Sequence, residues 1–112
     1  MRPTLHMVPE AAWDAHDAAA PYAPAAYADE GFIHCTDGDD EMVRTANRFY
    51  REAAGSFLVL TVDLDATGSP WRVDEPGRPY PHIYGTIAPG AVMDVRRLVR
   101  DGDGGFTGIT AR

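Results

Sequence analysis

The chain has 112 residues, 45% of them hydrophobic, and a formal charge of −7 in which all ten basic residues are arginine. That length supports one domain around one core, and the acidic balance argues against binding duplex nucleic acid, which needs many phosphate contacts from a basic surface. Without lysine the chain cannot use a Schiff-base amine, a phosphate-loop lysine or a Ser/Lys pair, because a guanidinium does not deprotonate near neutral pH.

Residues 4–8, "TLHMV", read as a first strand that carries His6. Pro9 and Glu10 then open a helix to about Ala19, with proline at the first helical position and an acidic residue behind it. The segment "AAAPYAPAAYADEG" holds Pro21 and Pro24, which prevent a continuous helix, and Tyr22 and Tyr27, which give it apolar surface to dock as a crossing loop. "GFIHC" is the second strand. "TDGDDEMVRTANRFYREAAG" is the best helix, with Met42, Val43, Ala46, Phe49, Tyr50 and Ala53 on one face, acids at its start and Gly55 as its stop. "SFLVLTVDL" reads as a central strand buried on both faces. Short segments follow, "WRV", a "DEPGRPYP" turn, "HIYGTI", a Pro89-Gly90 turn and "AVMDVRRLVR", and then "DGDGGFTGITAR" as a turn and a loosely held tail. Two main helices and five or six strands in mixed order predict a compact α+β single domain over residues 1–112.

No apolar run reaches the roughly 18 residues needed to span a bilayer, and "MRPTLHMVPEAAW" lacks the pattern of a signal peptide. With Cys35 alone, no intramolecular disulfide can form. The expected location is the cytoplasm, with no membrane partner.

Strand parity puts His34 on one face with Phe32 and Thr36, while Ile33 and Cys35 point the other way. His82 shares a face with Tyr84 by the same rule. Imidazoles beside hydroxyls suit proton transfer or recognition of a polar ligand; alternatively each histidine is half-buried and satisfied by a backbone carbonyl. His34 and His82 are expected to point into one cleft, with Cys35 buried away from it as a core thiol and not as a nucleophile. His6, His34 and His82 lack the close-spaced pair of a zinc site, and the acidic run "DGDDE" lacks calcium-loop offsets, so no metal is expected. Arg44, Arg48 and Arg51 form a basic stripe that either pairs with Asp40, Glu41 or Glu52 or holds an anion. Arg72, near Asp74 and Glu75, reaches toward His82.

"LHMVPEAAW", "GFIHCT", "TANRFY", "RVDEP" and "PYPHIYG", in that order, resemble the family of domains of unknown function numbered 952, from about Leu5 to Phe106. That family is grouped by fold with the ADP-ribosyltransferases and RNA 2′-phosphotransferases. The resemblance implies two small sheets meeting at a cleft for NAD or a related nucleotide, and, by analogy of fold alone, a transferase activity. It implies that His6 meets the nicotinamide half and that either Asp74 or Glu75 acts on the ribose. His34, His82, Asp74 and Glu75 are the catalytic candidates, with His6, Thr36, Asn47, Arg48, Arg72 and Tyr84 as ligand-binding ones. The rival expectation is a non-catalytic module that recognises a small polar molecule with the same residues.

Overall fold

The apolar run from Phe57 to Asp63 is the strand on which the molecule is assembled. A computed structural model describes residues 1–112. In chain order it contains β1 (Pro3–Pro9), α1 (Glu10–Ala15), α2 (Tyr27–Glu30), β2 (Ile33–His34), α3 (Asp39–Phe49), β3 (Phe57–Asp63), β4 (Trp71–Arg72), β5 (His82–Ile83), β6 (Val92–Arg100) and β7 (Phe106–Ala111). One sheet has the order β1-β3-β6-β7 and a second, smaller one the order β2-β5-β4. The molecule is thus a compact α+β domain with a radius of gyration of 13.3 Å. Every pairing is antiparallel, not mixed. A parallel pair needs a long crossover within one sheet, and the longest helix, α3, instead links strands of different sheets.

Strand β3 is buried on both faces, as its composition predicts. Leu58, Leu60 and Val62 face a core shared with Ile33, Cys35 and Ile83 of the smaller sheet. Phe57 and Val59 face the other core, with Met42 and Ala46 of α3 and Phe106 of β7. The sheets are joined where Leu5 and Thr36 exchange both backbone hydrogen bonds, at 3.0 and 2.8 Å. Asp37, one residue on, accepts from both Arg2 nitrogens and from the Thr4 hydroxyl, which ties the end of the second strand to β1.

Three expectations change. The first helix is six residues long and does not reach Ala19; Asp17 takes the Ala19 N–H on its side chain and the Ala20 N–H on its carbonyl, a local turn that competes with the helix. Helix α3 stops at Phe49, six residues before Gly55. The carbonyls of Tyr50, Arg51, Ala53 and Gly55 converge on the Arg100 guanidinium instead, and Phe49 is left 68% exposed. The C-terminal segment is not a loose tail: Asp101 and Gly105 close a turn at 2.7 Å, and β7 pairs with β6 and buries Phe106.

Candidate functional site

His34 and His82 are directly opposed across the β2-β5 ladder, with ring centroids 5.3 Å apart. Parity turns them the same way, and Phe32 adds a third ring, stacked on His82 at 4.3 Å. Cys35 points to the opposite side, where it is 2% exposed and its thiol is pushed up to about 12 by burial. Each imidazole holds a carboxylate. His34 Nε2 lies 2.5 Å from Glu30 Oε2, and His82 Nδ1 lies 2.7 Å from Asp74 Oδ2.

Asp74 is held by three different side chains. The Tyr84 hydroxyl and His82 donate to Oδ2 and Arg72 Nε donates to Oδ1, and these donors hold its carboxyl down to about 2. The Arg72 guanidinium also lies over the Tyr84 ring at 4.3 Å. Asp74 therefore orients His82 as a fixed anion. Gly85, last in "PHIYG", has φ +154, and a Cβ there would stand 2.3 Å from Ser69 Oγ, so this turn needs glycine.

Behind His34 lies a cavity of about 240 Å³ lined mainly by apolar groups, among them Met7, Tyr22, Phe32, Met42 and Phe57. Its polar lining includes His6, Glu30, His34, Thr36 and Thr45. His6 sits on β1, 6% exposed, with Nδ1 2.8 Å from the His34 carbonyl oxygen. A carbonyl only accepts, so Nδ1 carries the proton and Nε2 is a lone-pair acceptor. That Nε2 is buried with no partner. Burial lowers the ring to about 4, so it stays neutral at pH 7. A buried acceptor without a donor is costly to leave unmade, and it marks where a ligand N–H or O–H fits.

The remaining candidates are placed as follows. Thr36 lines the cavity, and its backbone joins the sheets. Asn47 does not line the cavity of His6; both ends of its carboxamide are spent on the Phe106 N–H and C=O, at 2.8 and 2.9 Å. Glu75 and Arg48 line a second cavity of about 170 Å³ beside His82. Neither Asp74 nor Glu75 borders the cavity that holds His6; the carboxylate there is Glu30. Sequence reasoning passed over Glu30, whose one signal is its place four residues before His34 across the Gly31 turn.

Residues 7–95 match the family described as "Protein of unknown function (DUF952)". The chain belongs to that family. The matched span of this DUF952 protein holds Glu30, His34, Asp74 and His82, while His6 stands one residue before it and β7 beyond it. A crystal structure of protein CC0527 from Caulobacter crescentus is similar, with a TM-score of 0.74 and 26% identity over 94% of this chain and 93% of that one. The solution structure of CC0527 is similar too, with a TM-score of 0.67 and 25% identity over 93% and 90%. No curated protein matches the chain. No helix of this DUF952 protein is long and apolar enough to cross a membrane.

Proposed function

We propose that the cavity behind His34 binds NAD or a related nucleotide by its nicotinamide–ribose end, in an ADP-ribosyltransferase-like fold, and that the chain acts as an ADP-ribosyl- or phosphotransferase-like enzyme. The observation that carries this reading is the unpartnered Nε2 of His6 in a largely apolar cavity. A ribose hydroxyl or a carboxamide N–H supplies the missing donor, and the apolar walls suit a flat ring. At about 240 Å³ the cavity suits one end of a dinucleotide.

Such a ligand, when bound, supplies a labile bond between its ring and its ribose. Glu30 offers negative charge at the cavity, suited to positive charge developing on the sugar. This is the role that the family resemblance gave to Asp74 or Glu75. His34, with Nε2–H donated to Glu30, keeps Nδ1 free to accept a proton from an acceptor hydroxyl. Asp74 holds His82 beside it.

An amide NMR titration with NAD and ADP-ribose, combined with an assay for nicotinamide release, tests the reading. Shifts are expected at His6, Tyr22, His34 and Thr36. His6→Phe, which removes the acceptor, is expected to weaken binding about tenfold, the worth of one buried hydrogen bond. Glu30→Gln is expected to bind normally and release no nicotinamide. Binding without turnover in the parent protein supports the non-catalytic reading in its place, and a folded protein that responds to neither ligand overturns the nucleotide reading and turns the search to small polar metabolites.

A further inference from the structure

We infer that the second cavity, on the far side of His82, is a separate ligand site that takes a nucleoside monophosphate, with Arg48 on the phosphate and Phe49 against the base. The inference goes beyond the reading above and stands whether or not NAD occupies the first cavity.

In a chain of net charge −7, nine of the ten arginines have a carboxylate or backbone carbonyl partner. Arg48 has none. Acids are within reach, since Arg44 one turn earlier takes Glu41, yet the Arg48 side chain lies with Phe49, its guanidinium 5.8 Å from the ring centroid. A guanidinium left free on an acidic protein is available to an anion, and its planar fork matches phosphate.

The surroundings suit a nucleotide. Thr45 lies three residues before Arg48 on α3, and its hydroxyl can donate to a phosphate oxygen. Phe49, 68% exposed, is a large apolar ring with no core to fill, and it lines the same cavity. Exposed aromatic faces beside arginine are what a base stacks on. Glu75 also lines the cavity and opposes an anion, but Arg78 lies 4.0 Å from it, and its oxygens can accept from ribose hydroxyls. Tyr80 and His82 complete the wall; the Tyr80 hydroxyl donates to Glu41, and His82 has Nδ1 on Asp74 and Nε2 without a partner. Thr45 borders both cavities, so the two sites lie side by side with the histidine pair between them.

The test is an amide NMR titration of the full chain with AMP, adenosine and inorganic phosphate. AMP is expected to shift Thr45, Arg48, Phe49 and His82 and to bind more tightly than either fragment. Arg48→Gln removes an exposed side chain with no carboxylate or carbonyl partner, so the fold is retained, and it is expected to weaken AMP about tenfold or more and to flatten the salt dependence. Phe49→Ala is expected to weaken AMP and adenosine but not phosphate. His6→Phe is expected to leave AMP binding unchanged, which separates this site from the first cavity. AMP binding no tighter than adenosine, insensitivity to Arg48→Gln, shifts confined to His6 and Tyr22, or no shifts at millimolar AMP would each overturn the inference.

Discussion

His6 donates through one nitrogen and has an unanswered acceptor on the other, in a place where its charged form is not tolerated. That burial has a consequence for stability. Above pH 6.5 the ring is neutral in both the folded and the unfolded chain, and its full contribution is present. As pH falls from 6.5 toward 4, the unfolded chain binds a proton that the folded chain, with its ring held at about 4, does not. Stability therefore drops across that window, by about 3 kcal/mol. Urea unfolding at a series of pH values checks this: His6→Asn, which keeps a donor for the His34 carbonyl and does not titrate, is expected to lose that part of the slope. Asp74, held at about 2 by Tyr84, His82 and Arg72, acts lower: its contribution is present above the ordinary carboxylate range and is lost as pH falls through 2. Gly85 is a steric requirement. Gly85→Ala is expected to lower stability by about 2 kcal/mol, because a Cβ meets the Ser69 side chain and the φ is unfavourable. Thermal melts of Gly85→Ala alone and combined with Ser69→Gly form the check, with partial recovery expected in the pair.

At the scale of elements, α3 is held at both of its ends. Arg96 forms a two-pronged pair with Asp39 in its first turn, and Asn47 clamps its last turn to the backbone of β7. Removing the Asn47 carboxamide leaves an N–H and a C=O of Phe106 without partners, so Asn47→Ala is expected to cost about 2 kcal/mol. Denaturant titration measures that loss, and NMR titration with NAD and AMP is expected to show unchanged affinities, because Asn47 lines neither cavity. The motif "TANRFY" thus mixes two kinds of residue: Asn47 is spent on the fold while Arg48 is left free. Nothing in a helical pattern separates them. Spacing places both on α3, but the partner of Asn47 lies 59 residues away.

Over the whole molecule, the two sheets enclose a core in which Cys35 is 2% exposed. A thiol with no access to solvent and a titration point raised to about 12 reacts only when the structure opens. Labelling of Cys35 is expected to be far slower than that of a free peptide thiol and to accelerate with urea in step with loss of the circular dichroism signal. Labelling without unfolding would show that the smaller sheet opens by itself.

What the residues alone determined is local and periodic. Alternation on the second strand put His34 on one side and Cys35 on the other, β-branched composition marked β3 as central, and the spacing in α3 placed Met42 and Ala46 inward. Those features depend on neighbours along the chain. The tertiary structure alone decided which groups meet across long separations: His6 with the His34 carbonyl, Glu30 with the first cavity, Asn47 with Phe106, and Arg100 with the carbonyls that end α3. It also decided that Asp74 positions His82 and that β7 completes a sheet. Each of these depends on desolvation and on donors and acceptors finding one another between elements, which no pattern along the chain encodes.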